Sequence, residues 1–243
     1  MEEFTLITGF SGVGGSKAGK DKLWNISIDY LAYKTGGSYV TEEGRLENKG
    51  DDGELKRLRG LLHKTSVVKV SGTKDGNSIE LHEVLETGIK TDAEANALIE
   101  EFMKPVIFND DLLGEFVMDK RYGSFDGHVK LDDRKISISL DDRDDIATAR
   151  VVCADLPKLV KDAAAFAADE LTELANEWAE EDDEEHDEIT EAAFAKRIRL
   201  QTISVSEEGN YILWFDDDDL FWGHAVCVYG NTESGFTDAT MEG

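Results

Sequence analysis

The chain has 243 residues, with 26 Lys and Arg against 53 Asp and Glu, a formal net charge of -27, and 40% apolar and 9% aromatic side chains. Those fractions exclude a collagen or a low-complexity tail and leave enough apolar surface for a packed core. The charge is uneven: residues 1–104 hold 14 basic and 18 acidic side chains, net -4, whereas 105–243 hold 12 and 35, net -23, a field that repels duplex nucleic acid and anionic lipid and attracts cations or a basic protein.

The first residues carry Glu2 and Glu3 where an export leader has a basic region, and no 18-residue apolar run occurs, so a cytoplasmic chain that does not engage a membrane is expected. Phe4 to Phe10 is β-branched and aromatic and reads as a strand; a Gly/Ser/Lys run from Ser11 to Lys22 interrupts it. Trp24, Ile26, Ile28 and Tyr30 then alternate with polar residues, the period of a half-buried strand, and a third strand is expected from about Ser38 to Leu46. Asp51-Asp52 caps a helix with Leu55, Leu58, Leu61 and Leu62 on one stripe, and two further strands, 66–71 and 78–84, meet across Asp75-Gly76. The order strand, strand, strand, helix, strand, strand is that of an OB-like β-barrel over residues 1–90.

That fold's ligand loops carry Lys17, Lys20 and Lys22 here, with Trp24 as a stacking aromatic beside Tyr30, Tyr33 and Tyr39, the parts of a single-stranded nucleic-acid groove. The same aromatics at strand period also suit core packing. Gly14 to Lys20 fits GxxxxGK, but Asp21 stands where a magnesium-binding Ser or Thr belongs, and a strand follows instead of a helix, so no phosphate loop is expected.

Thr91-Asp92-Ala93-Glu94 reads as a capping box for a connecting helix over 91–104 that ends at Lys104-Pro105. Four strands in a meander follow, about 105–108, 113–119, 128–131 and 135–140. Leu156, Val160, Ala163, Ala167, Leu171, Leu174 and Trp178 recur at three and four, predicting one long amphipathic helix against the sheet. Pro157 marks either a new helix capped by Asp155 or a kink in one begun near Asp145. Glu180 to Glu188 has no apolar stripe and reads as a solvated acidic loop; Thr190 caps a short helix after it. Leu200–Ser206 and Asn210–Asp216 pair as a hairpin, and a last strand from about Leu220 to Tyr229 places Leu220, Trp222, His224, Val226 and Val228 on one face. Residues 105–243 thus form an α+β domain, an antiparallel sheet packed against one long helix.

Asp216 to Asp219 puts four carboxylates in one turn, whose mutual repulsion calls for solvent, a cation or a basic partner. Asp217, Asp219, His224 and Asp238 are the candidate ligands for calcium or magnesium, although no EF-hand spacing is present. Asp216, Asp218 and Trp222 are the candidate partner contacts. Cys153 and Cys227 are isolated, with no CxxC, and the five histidines form no HxxxH or HExxH pair; no GxSxG elbow occurs.

Leu113-Gly114-Glu115-Phe116 through Asp119-Lys120-Arg121, Asn176-Glu177-Trp178, Trp214-Phe215-Asp216-Asp217, Phe221-Trp222-Gly223-His224 and Gly235-Phe236-Thr237-Asp238-Ala239 resemble the bacterial family known as domain of unknown function twenty-two sixty-two. Gly15 to Asp21 with Leu23-Trp24-Asn25 resembles its N-terminal companion domain. The resemblance implies a two-part cytosolic bacterial protein and brings no catalytic residues with it. The expected function is a non-catalytic binding protein without a cofactor, its acidic C-terminal domain engaging a basic macromolecule, including a toxin-neutralising, immunity-type role. The alternatives are a divalent-metal hydrolase using Asp217, Asp219 and His224, and single-stranded nucleic-acid binding by residues 1–90.

Overall fold

Alternation of apolar and polar side chains builds the first half of the protein into strands. In the computed structural model, which describes residues 2–180 and 188–243, the chain divides into two units, Met1–Lys104 and Pro105–Gly243. The first contains β1 (Glu2–Thr8), β2 (Gly14–Ser16), β3 (Trp24–Lys34), β4 (Gly44–Gly50), α1 (Asp52–Leu61), β5 (Val67–Asp75), β6 (Ser78–Thr87) and α2 (Ala93–Met103). β1 pairs antiparallel with both β3 and β5, β3 with β4, and β5 with β6, and a parallel β4–β6 pairing completes the ring. The result is a small five-stranded mixed barrel in the OB-like order, with β2 added on the far side of β3.

Phe4, Leu6, Ile26, Ile28, Leu46, Val68, Val70 and Ile79 fill the barrel, and α1 closes it with Leu55 and Leu58. Asp51 caps α1 as expected, its carboxylate accepting from the Glu54 amide at 2.9 Å. The third strand starts later than the sequence suggested: residues 38–43 contribute only an isolated Tyr33–Val40 bridge. At the start of β4 a side chain on Gly44 would overlap the Asn77 carbonyl and the Tyr30 hydroxyl. Helix α2 is capped by Asp92, not Thr91, through the Ala95 amide at 3.1 Å. Its Ala95, Leu98, Ile99 and Phe102 pack with Ile7, Ala32 and Val67 of the barrel strands.

The second unit holds β7 (Ile107–Asp110), β8 (Gly114–Met118), β9 (Phe125–Leu131), β10 (Arg134–Leu140), α3 (Ile146–Val152), α4 (Leu156–Glu180), α5 (Glu191–Arg197), β11 (Arg199–Val205), β12 (Asn210–Asp216), β13 (Ala225–Asn231) and β14 (Gly235–Glu242). One eight-stranded sheet runs in the order β14-β13-β12-β11-β10-β9-β8-β7. Every pair is antiparallel except β10–β11, which is parallel, because the chain between them crosses over through three helices. Ala149, Val152, Ala163, Ala167, Leu171, Ala175 and Phe194 of those helices share one core with Ile136, Ile138, Leu140, Leu213 and Val226, so the unit's helices cover a single face of the sheet.

The three-and-four repeat of α4 is therefore its packing stripe, and Phe166 meets Phe236 of β14 at 5.5 Å. Of the two readings at Pro157, a new helix holds: α3 ends at Val152, and Asp155 accepts from the Lys158 amide at 3.3 Å. Thr190 caps α5 through the Ala193 amide at 3.2 Å. Of the acidic loop expected over 180–188, residues 181–187 lie outside the described residues. No described helix is long and apolar enough to cross a membrane.

Candidate functional site

The segment between β12 and β13 departs most from the sequence expectation. Leu220 to His224 is a turn, not the start of a strand, and β13 begins at Ala225. Asp217 is the reason. Its side chain is only 4% exposed and gathers three backbone donors: the amides of Asp219 at 3.3 Å, Phe221 at 2.7 Å and Gly223 at 3.2 Å. Asp216 adds a fourth such bond, accepting from the Asp218 amide at 3.1 Å. The loop tightened around these carboxylates adopts positive φ at Asp218 (49°), Asp219 (65°), Trp222 (56°) and Gly223 (88°). Asp tolerates that region, whereas for Trp it is strained by about 1–3 kcal/mol and persists only where the surroundings over-determine it.

This backbone inverts the expected facing of side chains. Leu220 and Phe221 are buried in the core, while Trp222 is turned outward and 55% exposed. Trp178, near the end of α4, collects the turn's rings: Phe221 at 5.7 Å and His224 at 5.5 Å, both edge-on, and Trp222 at 4.7 Å, tilted by 55°. His224 Nδ1 donates to the Phe221 carbonyl at 2.6 Å, which fixes the ring against the turn. Arg197, at the end of α5, donates from Nε to Asp218 Oδ2 at 3.1 Å and also to the Asp218 carbonyl. Asp216, Asp219 and Trp222 therefore remain outward on a turn that is braced from inside by Asp217 and from the side by Arg197 and Trp178.

The proposed ion ligands are not drawn together. Asp217 directs its oxygens at backbone amides, and Asp238 lies on β14 opposite Tyr229, four residues along β13 from Ala225, about 13 Å at strand rise. Among the described residues no group of three His, Cys, Asp or Glu side chains is placed to hold a metal ion. In the first unit, Lys17 Nζ sits 4.5 Å above the Trp24 ring and 3.7 Å from Asp52, whose carboxylate also accepts from Trp24 Nε1 at 2.6 Å. The Trp24 hydrogen bond and Lys17 hold the Asp52 carboxyl below its ordinary range. Lys20 and Lys22 are exposed in the β2–β3 loop, so of the four candidates only Lys17 and Trp24 meet, and they meet over an acid.

Two positions escaped sequence reasoning. Asn176 was visible only as part of a family signature; its amide bonds the Ile189 backbone. Arg197 looked like an ordinary basic residue at a helix end, and nothing in spacing could couple it to Asp218, 21 positions away.

The barrel, the one-sided sheet and the braced acidic turn define a two-domain α+β protein. The chain belongs to the family described as Uncharacterized protein conserved in bacteria (DUF2262), which matches residues 110–241. Residues 1–112 match Domain of unknown function (DUF7021). Comparison with curated proteins and with solved structures gave no match.

Proposed function

We propose that the protein is a binding protein whose acidic second unit takes a basic macromolecular partner at the turn around Trp222. The observation that carries this reading is the outward placement of Trp222, 55% exposed, on a turn fixed by the three amide bonds of Asp217. A large exposed indole is costly to leave in water, and Trp is the residue type that most often anchors protein interfaces. Holding it on a preformed turn reduces the ordering cost of binding. Asp216, at the end of β12, and Asp219, in the same connection to β13, are exposed, and the net -23 of residues 105–243 steers a cationic partner toward the unit and raises its on-rate. Arg197 already neutralises Asp218, which leaves Asp216 and Asp219 as the rim charges of this site.

The test is affinity capture from a bacterial lysate at about 0.15 M salt, where charges are screened over about 8 Å, comparing the full chain with Trp222→Gly and with Asp216→Asn/Asp219→Asn. Glycine suits the positive φ at position 222, so the variant keeps the fold while losing the ring. A basic protein held by the wild type and lost by both variants supports the reading. Capture that is indifferent to both variants, or that retains no basic protein, sinks it.

A further inference from the structure

The helices of the second unit cover one face of its sheet; the other face sets opposite charges on either side of a central indole. Outward residues along the register form rows: Ser137, Thr202, Trp214, Cys227 and Thr240 stand side by side from β10 to β14. Trp214 is the middle of that row. Lys135 lies two strands to one side of it and one outward position along β10, and Asp238 lies two strands to the other side and one outward position the opposite way along β14. A half-turn about an axis lying in the plane of the contact, passing over Trp214 and perpendicular to the line from Lys135 to Asp238, therefore sets Lys135 of one copy over Asp238 of the other, twice. Opposite charges thus meet on both sides of a central indole.

Arg121, Arg150, Lys158 and Arg197 are each paired with a carboxylate, whereas Lys135, its cross-strand neighbour Lys130 and Arg199 have no ion-pair partner among the described residues. In a domain where acids outnumber bases by 35 to 12, three unpaired cations on the same side of Trp214, facing away from the helices, call for an acidic surface opposite. The same face supplies one.

We propose that two copies of the chain associate through the helix-free face of this sheet, with Trp214 against its symmetry mate and Lys135 of each copy against Asp238 of the other. Such an isologous contact is the commonest way a soluble protein forms a dimer. Five strands at about 4.8 Å spacing and about 23 Å of strand length give roughly 550 Å² per copy, so about 1,100 Å² in total, just past what a specific interface needs. The like net charges of the two copies repel over long range, but at about 0.15 M salt that repulsion fades within about 8 Å, while the direct pairs lie closer.

The experiment is sedimentation velocity of the full chain at about 0.15 M salt across a hundredfold range of concentration, with thermal melts as a folding control. The wild type is expected to shift from monomer to dimer. Lys135→Asp places two acids together twice per dimer and is expected to weaken association at least about tenfold. Lys135→Asp/Asp238→Lys on one chain restores opposite charges at both contacts and is expected to recover the dimer. A wild type that stays monomeric throughout, even if inorganic phosphate binds the cationic side of the face, overturns the proposal. So does a Lys135→Asp chain that melts normally and dimerises as the wild type does.

Discussion

The side-chain amide of Asn176 pairs with both backbone groups of Ile189, Oδ1 accepting from its N–H at 2.7 Å and Nδ2 donating to its carbonyl at 2.9 Å. Nδ2 also donates to the Thr172 carbonyl at 3.0 Å within α4. One side chain thus does for Ile189 what a neighbouring strand would, and sets the residue before the Thr190 cap of α5. Asn176→Leu keeps the volume and orphans both groups, which should cost about 2–3 kcal/mol. Calorimetry should show the second unit melting several degrees lower; Asn176→Asp, which retains the acceptor, should fall in between.

Asp217 and Asp219 are neighbours in an acidic run but should behave oppositely. Asp217→Ala removes the acceptor for three buried or half-buried amides and should destabilise the second unit by about 3 kcal/mol, with the emission of Trp222 shifting red as the turn loosens. Asp219→Asn, at an exposed position, should change the unfolding free energy measured in urea by under about 0.5 kcal/mol. Equal effects in urea unfolding would show that Asp217 does not organise the turn.

Acid should weaken the second unit through two carboxylates. Arg121, by side chain and backbone amide, brings Asp119 down to about 2, and Arg150, with the Leu112 and Leu113 amides, lowers Asp110. In the unfolded chain both titrate near the ordinary value of about 3.9. Between those limits the unfolded chain binds more protons, so the stability they contribute is complete above about pH 5 and is lost as pH falls toward 2. Denaturant titrations from pH 6 to 2 should show a shallower acid limb for Asp119→Asn and Asp110→Asn than for the wild type, the curves converging at the acid end.

Gly44 marks a close crossing in the barrel, where Tyr30 donates to the Asn77 carbonyl at 2.9 Å. Gly44→Ala would push a methyl group into both and should cost about 1–3 kcal/mol or more, as overpacking does. Tyr30→Phe removes one hydrogen bond and should cost about 1 kcal/mol, plus whatever the carbonyl loses by being left unpaired. Limited proteolysis read by mass spectrometry should place the new cuts of Gly44→Ala within residues 1–104.

Periodicity was enough to read the barrel's element order, the α4 stripe, the meander and the hairpin of β11 and β12, because in each the local pattern and the tertiary demand agree. It failed between Leu220 and His224, where Leu, Trp and His at alternating positions imitate a strand. The choice there is made by Asp217, whose capping of three amides no hydrophobic count registers. β14 went unread because its inward residues, Phe236, Ala239 and Met241, break strict alternation at the register shift between Tyr229 and Gly230. The pairing of β10 with β11 is likewise a product of the crossover, and the two strands carry no mark of each other.

That crossover sets an order of events. β7 to β10 and β11 to β14 are each a run of strands in which neighbours in space are neighbours in sequence, so either half can zip up locally and fast. Four register pairs, Ser137–Thr202 to Leu140–Val205, join the strands of the two halves, and they can form only after the chain of α3, α4 and α5 has been made. During synthesis β10 is therefore a bare edge for as long as the ribosome takes to deliver some sixty more residues, several seconds at about 5–20 residues per second. Arg134 and Lys135 at one end of that edge, and Asp141 and Asp142 at the other, are the kind of charged flanks that keep a waiting strand from pairing with the wrong chain.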